Sequence, residues 1–231
     1  MSILHASGRG LRAAIPICLG YIPVAITFGA VATSFGYPLY VPILFSATIF
    51  AGGSQFILLA ALQNGTPWLY VVALCALIDS RHVIYGSLIR RIFPESLVAR
   101  VPLAMSLTDE VFATALTQRE AKPTRELTAW LAGVAVAAYL CWVLSTAVGG
   151  AVGTVIQDAA PAVTKAMHFA LPALFLALSL DNLHRGNAWP LAAGAIGALG
   201  AIMVSNIAVA LFAAIAASVA VCSWQYRESR P

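Results

Sequence analysis

Long apolar runs broken by few polar positions set the outline of this chain. Residues 13–78, 127–157 and 186–226 contain no Asp, Glu, Lys or Arg. Each run exceeds the about 20 residues a helix needs to cross the hydrocarbon core of a bilayer. The runs are continuous and rich in Ala and Leu rather than alternating apolar with polar, which predicts helices and excludes a membrane barrel. Breakers divide them into a helix near 13–34, an apolar segment near 39–62, a helix near 67–88 and a shorter piece near 97–117. Further segments fall near 127–148 and 161–180, followed by a pair within 188–224 that turns near Ser205 and Asn206. The expected fold class is all-α: a polytopic helical membrane protein of about seven helical segments, forming one integral-membrane domain over residues 1–231.

If every segment crossed, Arg90, Arg91 and Arg100 would lie opposite Arg9 and Arg12, against the tendency of basic loops to stay cytoplasmic. Some segment therefore does not cross. The best candidate is 39–62, whose middle reads Phe50-Ala51-Gly52-Gly53-Ser54-Gln55. Paired glycines weaken a helix and a serine suits the cap of a new one, so this segment is expected to be re-entrant or broken. The piece holding Thr108-Asp109-Glu110 is expected to behave likewise, which keeps Arg119, Lys122 and Arg125 with the other basic loops and the N-terminus cytoplasmic. Arg9 and Arg12 precede an apolar run reaching Phe35. That run is too long for a signal-peptide core and should remain as the first helix. Pro23 and Pro172 stand in similar apolar surroundings on segments of opposite direction. An inverted repeat would leave that trace, and so would chance recurrence of a kinking proline.

Composition agrees with the pattern. Hydrophobic residues make up 61% of 231 positions and charged residues 10%, with mean hydropathy +0.88, well outside the range of a soluble domain. Loops this short leave no room for an appended soluble enzyme. There is no nucleotide-binding loop, metal triad or Ser/His/Asp spacing, so no catalysis, cofactor or metal is expected. Cys18, Cys75, Cys141 and Cys222 lie within apolar runs without CxxC spacing, which implies neither a disulfide framework nor a metal site. The net charge of +4 resides mostly in short loops, where it sets orientation rather than binding nucleic acid.

Polar positions inside the apolar runs are the candidates for chemistry. No Asp, Glu, Lys, Arg or His occurs between Arg12 and Asp79, and then Asp79, Ser80, Arg81 and His82 stand together. An Asp or Arg at the middle of a membrane helix costs about 2.5–3.5 kcal/mol, so such groups face a cavity or one another and mark a substrate or proton path. Helical spacing pairs Asp79 with His82 and Arg81 with Tyr85. A carboxylate beside an imidazole can pass a proton near neutral pH, while Arg81 stays charged and can grip an anion. The alternative is a helix end at the headgroups with Arg81 snorkelling outward. Gly52, Gly53 and Ser54 would expose backbone N–H groups at the start of a half-helix, a place for a substrate carboxylate, and Gln55 adds a polar group on an apolar face. Glycines that merely let helices pack are the other explanation. Thr108 suits a cap with Asp109 and Glu110 in the first turn. Either acid could anchor a substrate ammonium or carry a coupling proton. His168, i,i+3 from Lys165 and ahead of Pro172, is a further proton-path candidate. Aromatic residues such as Tyr21, Phe56 and Trp142 are expected in lipid or core contacts.

At these same places the chain resembles the AzlC family of branched-chain amino acid permeases, over nearly its whole length. The carriers are Phe50-Ala-Gly-Gly-Ser-Gln-Phe56, Arg81-His-Val-Ile-Tyr-Gly86, Thr108-Asp-Glu-Val-Phe-Ala113 and His168-Phe-Ala-Leu-Pro-Ala-Leu-Phe175, specific in combination. The family more often has an amide where Asp79 stands, which leaves an Asp79/His82 proton pair as either peculiar to this chain or structural. The resemblance implies a secondary transporter exporting branched-chain or similar apolar amino acids across the bacterial cytoplasmic membrane, driven by a proton gradient or the membrane potential. It also implies a small AzlD-type membrane subunit as partner. On this expectation the substrate carboxylate meets Gly53 and Ser54 with help from Arg81, and Asp109 or Glu110 receives the ammonium. An uncoupled channel and a scaffold subunit are the rival functions.

Overall fold

Helices form along the apolar runs and stop where the sequence supplies glycine, proline or a capping hydroxyl. The computed structural model describes residues 3–94, 96–118, 125–159, 162, 188–203 and 207–228, and no strand is present among them. In chain order the helices are α1 (Ile3–Ala13), α2 (Ile15–Ser34), α3 (Tyr40–Thr48), α4 (Gly52–Gln63), α5 (Trp68–Asp79), α6 (Arg81–Leu88), α7 (Leu97–Met105), α8 (Asp109–Leu116), α9 (Arg125–Ala159), α10 (Ala188–Ile202) and α11 (Ile207–Glu228). This is an all-α membrane protein. Among the described residues three stretches are long and apolar enough to cross a bilayer: Ile15–Ser34, Trp68–Leu88 and Arg125–Gly153.

The expected break in 39–62 is present, since α3 ends at Thr48 and α4 begins at Gly52. The piece near 97–117 is broken as well, into α7 and α8. At 9 and 12 residues for α3 and α4, and 9 and 8 for α7 and α8, each half is far short of the about 20 residues a span requires. Three features differ from the sequence expectation, the first being that the helix near 67–88 is divided at Ser80 into α5 and α6. Residues 3–13 form a separate helix, α1, and α9 extends to 35 residues rather than stopping near 148. Gly149, Gly150 and Gly153 do not end α9 because they serve its packing: a Cβ on Gly149 would lie 2.0 Å from the Ile26 carbonyl oxygen of α2, and one on Gly29 of α2 would lie 2.1 Å from that of Thr146. Small residues let membrane helices approach backbone to backbone. The same device joins α1 to α9, where a Cβ on Gly10 would meet the Trp130 carbonyl oxygen at 2.0 Å, and Ser7 Oγ donates to the Ala129 carbonyl at 3.2 Å.

By contacts the chain groups into two compact units, residues 1–60 with 75–168, and residues 61–74 with 169–231. The first holds a core of Ile17, Tyr21, Leu103, Val111, Leu131, Val134 and Trp142 with their neighbours. In the second, α10 packs on α11, and Ser218 Oγ donates to the Pro190 carbonyl at 2.9 Å. The turn expected near Ser205 and Asn206 falls between α10 and α11, at residues outside those described. The 161–180 segment with Pro172, and with it the inverted-repeat comparison, also lies outside them.

Candidate functional site

Three interrupted helices bring their interruptions together within the first unit. Between α3 and α4, Ile49 leaves helical geometry at φ −113° and ψ 77°, and Ala51 N–H bonds to the Ile49 carbonyl at 2.8 Å. Gln55 N–H reaches back to the Ala51 carbonyl at 3.0 Å, so the amides of Gly52, Gly53 and Ser54 are the first-turn donors that have no partner inside α4. The break is held by Gln55 itself. Fully buried, its side-chain amide donates to the Phe45 carbonyl at 3.2 Å and to that of Ile49, and its oxygen accepts from Trp142 Nε1 at 3.1 Å. The Trp142 ring lies over Gly52, where a Cβ would come within 2.8 Å of it. Gln55 thus spends its amide on the protein.

The second interruption is Ser80, between α5 and α6. Asp79 is the twelfth and last residue of α5, about 18 Å along the helix, in the interior of the 21-residue apolar stretch Trp68–Leu88. Its Oδ2 accepts from Ser54 Oγ at 2.8 Å, tying α5 to the first turn of α4. Val83 N–H bonds to the Ser80 carbonyl at 3.1 Å, and the Asp79 carbonyl instead meets His82 Nδ1 at 2.8 Å. The expected carboxylate–imidazole contact is therefore replaced by a carbonyl–imidazole one, because Val83 N–H bonds to Ser80 and leaves the Asp79 carbonyl to His82.

The third interruption, residues 106–108, precedes α8. Thr108 caps the helix as its sequence predicts, its hydroxyl accepting from Val111 N–H at 3.3 Å. Asp109 is held on both oxygens: Arg81 Nη1 lies 2.7 Å from Oδ2, and Tyr85 Oη donates to Oδ1 at 2.7 Å. Tyr85 also stacks on Phe112, with centroids 4.2 Å apart and planes at 7°. Glu110 Oε2 accepts from Tyr21 Oη of α2 at 2.7 Å. Tyr21 is also bonded to Thr108 Oγ1. One phenolic proton serves one acceptor, and the assignment that satisfies all three groups has Thr108 donating to Tyr21 and Tyr21 to the carboxylate. Tyr21 in turn packs edge-on against Trp142 and Phe50, at 5.0 and 6.4 Å, which closes the circuit back to the first break.

Of the residues singled out from sequence, the structure joins Ser54 to Asp79, Arg81 to Asp109, and Glu110 to Tyr21. Gly52 and Gly53 open the helix that carries Ser54. His82 touches the network through the Asp79 backbone and an edge contact with Tyr85 at 5.7 Å. His168 lies outside the described residues. Tyr21 and Trp142, expected as packing residues, lie in the core and hold polar contacts as well. An open, largely apolar cavity of about 620 Å³ lies beside the network, lined by Phe50, Pro102, Ser106 and Tyr139 among others, but not by Ser54, Asp79, Arg81 or Asp109. Among the described residues no group of His, Cys, Asp and Glu is arranged to hold a metal ion.

The family model described as AzlC protein matches residues 16–156, the stretch that contains all three interruptions. The chain belongs to the AzlC family. Membership gives it a role in membrane transport. Among AzlC relatives, the chain is 36% identical over 210 residues to inner membrane protein YgaZ of Escherichia coli (strain K12), covering 90% of this chain and 85% of that one. It is 34% identical over 219 residues, 94% of each chain, to an uncharacterized membrane protein of Archaeoglobus fulgidus. Identity to the branched-chain amino acid transport protein AzlC of Bacillus subtilis (strain 168) is 25% over 169 residues, 73% of this chain and 64% of that protein. No solved structure matches.

Proposed function

We propose that this AzlC protein is a secondary transporter that exports branched-chain or similar apolar amino acids across the bacterial cytoplasmic membrane. Export is driven by a proton gradient or the membrane potential and proceeds with a small AzlD-type membrane subunit. The name of the Bacillus subtilis relative supports the substrate class. The observation that carries the proposal is the linkage of three interrupted helices through Ser54–Asp79, Arg81–Asp109 and Tyr85–Asp109. Each charged group held within a membrane helix costs about 2.5–3.5 kcal/mol. Retaining several side by side, at broken helices whose ends offer free backbone groups, is the arrangement by which transporters bind polar cargo at mid-membrane.

The substrate site consists of Gly52, Gly53, Ser54, Arg81, Asp109 and Glu110, with Gln55 fixing the first interruption from behind. The first-turn amides of α4 favour an anion, Arg81 supplies the neighbouring positive charge, and Asp79 and His82 offer a route for the coupling proton. The tendency of basic loops to stay cytoplasmic supports a cytoplasmic N-terminus.

Efflux of preloaded valine or leucine from vesicles tests the proposal, using this chain, the partner, and both together. Flux that requires this chain and responds to a proton ionophore supports it. Gradient-independent flux would make the protein a facilitator, flux from the partner alone would make it a scaffold, and no amino acid flux in any arm would reject transport of this class.

A further inference from the structure

The apolar cavity beside the network takes no part in the site proposed above, since none of Ser54, Asp79, Arg81 and Asp109 lines it. Its volume of about 620 Å³ far exceeds a branched side chain, and no Asp, Glu, Lys or Arg is among its lining residues. Along α9 the lining runs from Thr128 to Leu140, about 18 Å at 1.5 Å per residue. That is close to the depth of one leaflet, about 15 Å or half the hydrocarbon core. Val136, Leu140 and Met105 of the lining are 52, 49 and 65% exposed, and the first two belong to the membrane-crossing stretch of α9. The cavity therefore opens sideways, towards lipid.

Its two ends differ in charge. At the inner end Tyr139 Oη donates to the Ala47 carbonyl at 2.9 Å, joining α9 to α3 without an ionic group. At the outer end Pro94 and Ala99 line the cavity, and Arg100 donates through Nε to the Pro94 carbonyl at 3.1 Å, which sets a guanidinium on the rim. Thr128 Oγ1 donates to the Ile92 carbonyl at 2.8 Å, so the short turn Arg90–Ile92 lies against the first turn of α9, where Arg125 begins the helix. All four arginines are exposed, and among the described residues beside them the acid is Glu126. A leaflet-deep apolar slot with a positive rim suits a molecule with a long hydrocarbon tail and a negative head. A membrane-spanning partner helix would need the full core of about 30 Å, and this slot ends about halfway. We infer that the cavity is a specific site for an anionic phospholipid, one acyl chain lying along α9 between α3 and α7 and the phosphate head resting on Arg91, Arg100 and their basic neighbours.

Native mass spectrometry of the purified full chain tests this, with phosphatidylglycerol and phosphatidylethanolamine of identical long chains offered in equal amounts. The readout is binding, so it stands apart from the transport function. The wild type should retain one phosphatidylglycerol in preference to phosphatidylethanolamine by about tenfold or more, since each basic residue at a membrane surface favours an anionic head about fivefold. A phosphatidylglycerol with six-carbon chains should not be retained, because it leaves most of the slot empty. Arg91→Gln combined with Arg100→Gln should cut the preference by about tenfold. If that variant does not fold, raising the salt should weaken the wild-type preference in the same way. Val136→Trp fills the slot from an exposed position and should lose the bound lipid at an unchanged unfolding midpoint. Equal retention of the two lipids by the wild type, or undiminished phosphatidylglycerol on Val136→Trp, overturns the inference. So does a Val136→Trp protein that keeps its lipid and changes its ratio of valine to leucine efflux, which would assign the cavity to cargo.

Discussion

Replacing Gln55 by methionine keeps the side-chain volume and removes both poles of the amide, which separates a residue that holds a helix break from one that binds cargo. The side chain is fully buried, so water cannot take over its bonds. Trp142 Nε1 would lose its acceptor at 3.1 Å, at a cost of about 1–3 kcal/mol for a buried donor left open. The two carbonyls lose less. Phe45 still accepts from Ile49 N–H at 2.7 Å and Ile49 from Ala51 N–H at 2.8 Å, so each forfeits only a second bond, about 0.5 kcal/mol. The sum is about 2–4 kcal/mol. For a chain of this size, at about 2–4 °C per kcal/mol, the unfolding midpoint should fall by about 4–16 °C. Thermal unfolding of the purified protein in detergent, followed by tryptophan fluorescence, measures it. An unchanged midpoint accompanied by lost valine transport would refute the structural role and return Gln55 to the binding surface.

Three further outcomes are expected. Arg81→Ala should shift stability by no more than about 1 kcal/mol, because its ion pair with Asp109 is partly exposed, yet cut valine flux in vesicles sharply. A flux loss fully explained by less folded protein would contradict this. Tyr21→Phe keeps the aromatic contacts and removes the bond to the Glu110 carboxylate, and should cost about 1.5–3 kcal/mol. An unaltered midpoint would show that α8 is not held through that hydroxyl. Gly149→Ala places a Cβ 2.0 Å from the Ile26 carbonyl oxygen, whereas Gly8→Ala meets nothing within 4 Å. Size-exclusion profiles should show loss of folded protein for the first and none for the second, and the reverse order would disprove the α2–α9 contact.

What could be read from the sequence was local. The glycine pair at Gly52 and Gly53 announced the first break, and Thr108 announced a helix start that the structure shows capped by its hydroxyl, because breaking and capping depend on residues within one turn. Spacing within a helix also found Arg81 and Tyr85 together, and both reach Asp109. The same rule failed for Asp79 and His82, since it presumes an unbroken helix and Ser80 interrupts this one. Contacts between distant segments left no local signal. Tyr21 meets Glu110 across 89 positions, and Trp142 meets Gln55 across 87. In each, a residue that elsewhere would simply pack in a core or face lipid supplies a polar hand. The length of α9 was hidden for a similar reason, because glycines that would end an isolated helix are tolerated when a second helix lies in the space they leave.

The backbone-to-backbone seams of α9 with α1 and α2 have a mechanical consequence. Main chain wedged against main chain has no rotamer to yield, so these three helices are expected to behave as one rigid body. On the transport function proposed here, a swing within this unit that exposes cargo first to one face and then to the other is expected at residues 49–51, at Ser80 and at 106–108, and a crosslink bridging two of those elbows should trap the protein open to one side.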